Sequence, residues 1–328
     1  MALDLPATPR VLFQAALRPL QGTRFQPTGF PDIGPSTYRL DDGTDMLVVE
    51  SQQSLANRLE AVTWDSAKND LVADLQGLPY VRVEQNGTFL TSSILEAHRL
   101  NSVYIERSDA FEKLKQAIGL EDKRPIDRQR FVRALFALDP SSLLHGLFLE
   151  SIDGRLRVER LVSGTIEARG VTVVPTGGVK LDRVSASGSD DAGAKEGYGN
   201  VPFHRDEFVA REIVAYFNID LAQLRSFGLP ELAQRLLYAL ALWKIAAFFE
   251  SGLRLRTACD LDVAGSVKAT RPAGLELPSR EQLGATLREL IPVVAREDLF
   301  VTPAITVANY DEKKVAEKKV KGKKGTPA

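Results

Sequence analysis

Cysteine is nearly missing: Cys259 is the only one, so no internal disulfide can form, and the expectation is a reducing, cytoplasmic setting. Histidine is scarce as well. His98, His145 and His204 are the whole set, and none has a second His or Cys at metal-ligand spacing, which argues against a metal site. The sequence holds no GxSxG elbow, Walker A loop or GxGxxG fingerprint, so three common routes to catalysis are closed. A long hydrophobic run is also lacking. The most apolar stretch, Leu236 to Phe249, is interrupted by Lys244 and is shorter than the roughly 20 residues of a membrane span. The opening MALDLPATPR has no basic segment followed by an apolar run, so neither a secretory signal nor a membrane partner is expected.

Net charge is close to zero, at −1, but it is unevenly spread. Seven of the 15 lysines fall in Lys313–Lys324, whereas all 27 arginines precede that tail. Arginine in such excess suits planar, two-pronged phosphate contacts, and a GC-rich genome would produce the same bias. With 44% hydrophobic and 26% charged residues the chain can build a real core. No repeat of 20–50 residues is present, which excludes a solenoid or propeller.

The pattern of residues predicts the elements. Arg10–Arg18 reads as a buried strand, followed by a loop dense in Gly, Pro and Thr. A short strand at Met46–Val49 precedes a helix over Ser51–Trp64, capped by Ser51 or Ser54. Asn86-Gly87 predicts a hairpin between Tyr80–Val83 and Thr88–Leu90. Helices are expected at Ser92–Asn101 and Asp127–Leu138, and strands at Leu143–Glu150 and Leu156–Val174 with a bend near Gly164 or Gly170. The glycine- and serine-rich Thr176–Asn200 reads as a mobile excursion. Order is expected to return from Phe203 to Phe217. Pro230–Ser251 reads as a long buried helix, Leu253–Val263 as one alternating strand, and Ser279–Ile291 as a helix with a Ser279/Gln282 capping box. The Lys-rich residues 311–328 read as a disordered tail behind a single domain over 1–310. The order implies an α+β fold with an antiparallel sheet and helices on one side, a split βαβ being one such arrangement.

Candidate chemistry concentrates in three places. In Arg18–Gly29, Gly22 offers close backbone approach, Arg18 and Arg24 offer guanidinium groups, and Gln21, Thr23 and Gln26 offer neutral donors. Phe25 supplies a flat surface for stacking. That mixture suits a single nucleic-acid strand and equally a polar structural loop. On the first helix, Ser54 and Arg58 share one side and Gln53 and Asn57 a neighbouring one, as on a phosphate-contacting helix or any solvated face. In the excursion, Gly177 and Gly178 precede Lys180 and Arg183, and the segment closes with Phe203, His204 and Arg205, groups with which a hairpin could clasp a strand. Nothing assembles an acid, a base and a nucleophile. No catalytic residue and no cofactor is assigned. Cys259 reads as a buried core thiol, and Asp260 with Asp262 as a solvated pair rather than a cation site.

The stretches LRPLQGTRFQPTGFPDIG, VVESQQSLANRLEAVTWD, SSILEAHRLNSVYI, EGYGNVPFHRDEF and ALALWKIAAFFESGLRLRTACDLDV resemble the backbone subunit of type I-G (formerly I-U) CRISPR effectors, a branch of the Cascade "Cas-seven" family. The resemblance runs from about Leu17 to Val263. It implies an RRM-like (ferredoxin-like) palm with a helical insertion and a flexible thumb hairpin. The thumb is matched by about 176–200 and the palm by the Arg18–Gln26 loop plus the Ser54–Arg58 helix. It further implies a non-catalytic subunit that binds CRISPR RNA and lines up with copies of itself head to tail. Target DNA would be met through the guide, beside other Cascade subunits and a separate helicase-nuclease. Related type III backbones cut RNA with an acidic residue, but Asp190 and Asp191 sit in low-complexity sequence and give no basis for that here. The rival readings are a metal-dependent nuclease using Asp260 or Asp262 and a subunit that meets only proteins. Reversing charge at Arg24 and Arg58 together is expected to release guide RNA and leave the fold intact, as retention and melting of the double variant would report.

Overall fold

The architecture follows from one strongly alternating strand. In a computed structural model, which describes residues 3–30, 33–119, 125–150, 152, 156–180 and 201–311, β1 (Arg10–Pro19) buries Val11, Phe13, Ala15 and Leu17 and turns the residues between them outward. A period of two makes one face of a sheet apolar, and that face must be covered.

The other elements, in chain order, are β2 (Asp45–Glu50), α1 (Gln52–Ala61), the hairpin β3 (Tyr80–Gln85) and β4 (Thr88–Ser92), and α2 (Asp109–Ile118). Next come α3 (Arg128–Leu138), α4 (Pro140–His145), β5 (Val162–Arg169), and the hairpin β6 (Thr172–Lys180) and β7 (Val201–Val209). The chain continues through β8 (Glu212–Asp220), α5 (Leu221–Ser226), α6 (Glu231–Glu250), β9 (Cys259–Val263), α7 (Arg280–Arg296) and β10 (Ile305–Asn309).

The main sheet runs in the order Arg254–Arg256, β9, β1, β8, β5, β2, Thr37–Arg39, with Lys268–Arg271 also on β1. All of its pairings are antiparallel. Its central strands are linked as β1–α1–β5–β8–α6–β9 and lie side by side as β9-β1-β8-β5. Helices α1 and α6 cover the apolar face. Gly164 marks where α1 closes in: a Cβ there would lie 2.7 Å from a Leu55 methyl and 2.6 Å from the Tyr216 carbonyl. The mixed α+β fold with an antiparallel sheet is as the sequence implied.

Particular elements differ from the sequence reading. Ser92–Asn101 is no helix; Ser92 ends β4, and a run of turns leads to a 3-10 turn at Arg99–Asn101. Its serines tie back locally, Ser92 Oγ accepting from the Leu95 amide at 3.3 Å, which competes with helix formation. Leu143–Glu150 splits into the end of α4 and a short strand, Leu147–Leu149, because Asp139 caps α4 through the Ser141 amide. Leu253–Val263 is two strands folded back at Thr257-Ala258, with Ala258 at φ +61. Thr176–Lys180, assigned to the excursion, is strand paired with β7 residue for residue, while 181–200 lie outside the described residues, as does 312–328 of the tail. α6 is 20 residues long and apolar enough by composition to cross a membrane, yet most of it is buried in this domain as core.

Between α1 and β5 an insertion packs onto the sheet layer through buried charge. Glu60 of α1 receives two hydrogen bonds from Arg99, each 2.7 Å, and Arg99 also donates to the Gly146 carbonyl. On α6, Lys244 is fully buried, 3.1 Å from Ser141 Oγ and 2.9 Å from His145 Nε2. Burial drives the Lys244 ammonium down to about 8 against the pull of Glu60 and Asp139, and raises both carboxyls. Removing one member of a buried ion pair strands the other. Glu60→Gln is therefore expected to destabilise the chain by about 3–5 kcal/mol, read from the urea midpoint. A loss below about 1 kcal/mol would mean that Arg99 finds another partner.

Candidate nucleic-acid interface

After β1 the chain must pass the root of the β6–β7 hairpin, and backbone hydrogen bonds fasten it there. Phe25 and Phe208 exchange two bonds of 2.9 Å each as an isolated bridge, and the Gln26 amide donates to the Ala258 carbonyl at 2.8 Å. The Leu20 amide donates to the Asp260 carbonyl at 2.8 Å. Between these anchors Gln21–Arg24 arch outward, with Gly22 at φ +68, a conformation in which a Cβ is strained although nothing crowds it. The result is an open crevice of about 520 Å³ lined by Gln21, Gly22, Thr23, Arg24, Arg205 and Asp260, with the buried Glu207 at its floor.

The crevice is charge-balanced, not simply basic. Arg24 lies 3.2 Å from Glu207 and Arg205 pairs with the same carboxylate, so both guanidinium groups are aimed by one buried anion. Arg24 pairs through Nη1 and remains 55% exposed, which leaves the rest of its guanidinium open to a ligand. Arg18, further along, pairs with Asp262 at 3.2 Å on the open surface.

The hairpin carries the crevice outward. Alternation puts Phe203 on the same side as Arg205, about 7 Å further along β7. Its ring is 42% exposed and rests where a side chain on Gly178 would be, a Cβ there lying 3.1 Å from two ring carbons. Gly177, opposite His204, is bounded by the Phe203 carbonyl, 2.6 Å from an added Cβ. His204 faces the other way, with Nε2 3.9 Å from Asp206. Lys180 ends β6, and Arg183 lies outside the described residues.

Two expectations are corrected. Phe25 is 1% exposed and packs in the core, held by its bridge to Phe208, so it offers no face for stacking. Arg58 is not a free surface cation. It lies 2.8 Å from Glu50, a carboxylate with no solvent exposure, and also donates to the Leu255 carbonyl. Arg256 pairs with the same Glu50 oxygen and reaches the Gln26 carbonyl at 3.1 Å, so this cluster braces the loop against α1. The other expected residues of the helix face stay at or near the surface and bond locally. Gln53 donates to Asn57 at 3.0 Å and accepts from Arg160, and the Ser54 amide donates to the capping Ser51 hydroxyl. No residue of α1 lines the crevice.

Glu50, Glu207, Arg256 and Ala258 were not singled out from sequence. Glu50 ends a short strand like many surface acids, and the turn at Ala258 has neither Gly nor Pro to announce it. The one available signal was the Arg254/Arg256 alternation. Asp260 and Asp262 each face an arginine, Arg254 at 3.7 Å and Arg18 at 3.2 Å. Among the described residues no cluster of three or more His, Cys, Asp or Glu could hold a metal ion.

Residues 11–173 match the model of a family described as CRISPR-associated protein GSU0053. Among solved structures, a chain of a pre-nicking CRISPR RNA-guided surveillance complex aligns at 16% identity and TM-score 0.43, covering 88% of this chain and 87% of that one. A chain of a second CRISPR RNA-guided surveillance complex aligns at 12% identity and TM-score 0.36, covering 88% and 83%. Csc2 of Thermofilum pendens aligns at 13% identity and TM-score 0.31, covering 87% and 76%. No curated protein sequence matches the chain. Superpositions this loose leave the residues of the crevice to be argued from their own geometry.

The contrast between the two arginines is testable in urea. Arg58→Glu sets a second carboxylate against buried Glu50 and is expected to cost about 3–5 kcal/mol. Arg24→Glu, on the exposed rim, is expected to change stability by about 1 kcal/mol or less. Equal midpoints for the two variants would contradict this division.

Proposed function

We propose that this chain is a non-catalytic backbone subunit of a type I CRISPR effector, of the I-G subtype, that holds CRISPR RNA in the crevice between the Leu20–Gln26 loop and the β6–β7 hairpin. The match of residues 11–173 to a CRISPR-associated family supports the setting. The observation that carries the reading is the loop bonded to the hairpin root, with Gly22, Arg24 and Arg205 lining one crevice.

In this reading Arg24 and Arg205, pre-aimed by Glu207, contact phosphates, and Gln21 and Thr23 contact phosphate or ribose oxygens. Such contacts fix the register of a strand without reading its sequence. Phe203 offers a ring for a base, and the β6–β7 hairpin, in the role of a thumb, interrupts the strand. Specificity then comes from pairing between guide and target DNA, as in other RNA-guided systems. The β1–α1–β5–β8–α6–β9 order supports an RRM-like, ferredoxin-like palm. Copies stacked head to tail gain avidity along one RNA, with other Cascade subunits and a helicase-nuclease as neighbours in the cytoplasm.

The reading predicts that full-length chain purified from cells with its CRISPR array carries RNA. For single-stranded RNA, Arg24→Glu is expected to reduce the slope of log affinity against log salt by about 0.7, the share of one phosphate. An unchanged slope, together with unchanged RNA retention in Arg24→Glu/Phe203→Ala, would place the strand elsewhere. Turnover of labelled RNA or DNA in magnesium would favour the nuclease alternative.

A further inference from the structure

A second polar cleft, of about 330 Å³, opens beside the start of α1. It lies between the first turn of that helix, the Arg99–Asn101 turn, the end of α4, and the small hairpin formed by Leu147–Leu149 and Leu156–Val158. Three observations set it apart from an ordinary surface dent.

The first is Arg160. Its guanidinium is partly buried, and both of its hydrogen bonds go to neutral oxygens, the His145 carbonyl at 3.2 Å and the Gln53 side chain. Burial, then repulsion from Arg99, holds its pKa below the ordinary value, with Glu60 opposing. Among the described residues no carboxylate is ion-paired to it.

The second is a pair of shielded polar atoms without hydrogen-bond partners, His145 Nδ1 and Asn101 Oδ1, on two residues that both line the cleft. The Lys244 ammonium, 2.9 Å away, donates to His145 Nε2, so the neutral ring carries its proton on Nδ1. One orphan is a donor seeking an acceptor and the other an acceptor seeking a donor. Unpaired buried groups of this kind are rare in folded proteins and call for a partner.

The third is the rim. Phe148 stands 44% exposed between buried Leu147 and Leu149, beside Arg157, which pairs with Glu159 at 3.6 Å. Glu150 and Glu159 also line the cleft, so its charge is mixed and its anion preference rests on Arg160.

We propose that this cleft binds a nucleotide unit, its phosphate on Arg160 and Arg157 and its base against Phe148. The site is separate from the loop-and-hairpin crevice and does not depend on what that crevice holds. A free mononucleotide and one unit of a single strand present the same chemistry, and the assay distinguishes them.

The test is fluorescence anisotropy of the full-length chain at low salt, with dye-labelled adenosine monophosphate and with a dye-labelled six-nucleotide single-stranded RNA. Arg24→Glu serves as background, so that loss at the crevice is not mistaken for loss here. Binding of either probe is expected, weakened about tenfold by Phe148→Ala and by Arg160→Gln. Binding of the mononucleotide alone assigns a free nucleotide, and binding of the RNA alone assigns a strand. Phe148 is on the surface, so Phe148→Ala remains informative if Arg160→Gln fails to fold. No binding of either probe in the Arg24→Glu background, or binding indifferent to Phe148→Ala, overturns the proposal.

Discussion

Glu50 is the group on which the arrangement of the crevice depends. Its carboxylate has no contact with solvent, and an isolated ion there would be prohibitively unfavourable. It is tolerable because Arg58 reaches it from α1 and Arg256 from the strand beside β9. Arg256 then holds the carbonyl of Gln26, at the end of the loop that forms the crevice. One buried anion thereby couples helix, sheet edge and loop. Neutralising it would loosen all three, which is why the cluster is a positioning device and not a contact surface. Glu207 plays a similar part on the other wall, aligning Arg24 and Arg205 from below.

The same logic recurs deeper in the molecule. Glu60, Arg99, Asp139 and Lys244 form a second buried charged group, and it sits where the insertion meets α1 and α6. Apolar packing joins almost any two layers, whereas buried charges with fixed partners join only the matching ones. In this chain the two networks meet α1 through Arg58 and Glu60, both near its C-terminal end, so that end of the helix is tied to the sheet edge and to the insertion.

Much of the fold was legible because its signals are local. A short apolar run stopped by Pro19 marked β1, Asn86-Gly87 marked the β3–β4 turn, where both residues take positive φ, and Ser279 with Gln282 formed the capping box. What escaped the sequence is non-local. β10 pairs in parallel with β3 across more than 200 residues, and no local pattern announces such a partner. The site was legible in part for the same reason. Gln21–Arg24 were visible as a loop rich in donors, but whether Phe25 faces outward was decided by Phe208, and whether Arg58 is free was decided by Glu50. Composition shows what a residue can do, and only a distant neighbour decides whether it is available.

The most direct test of the crevice is photo-crosslinking of 4-thiouridine-substituted CRISPR RNA to the full-length chain, with crosslinked peptides identified by mass spectrometry. The account predicts crosslinks in peptides covering Leu20–Gln26 and Val201–Val209. An RNA that stays bound yet crosslinks to neither segment would contradict it.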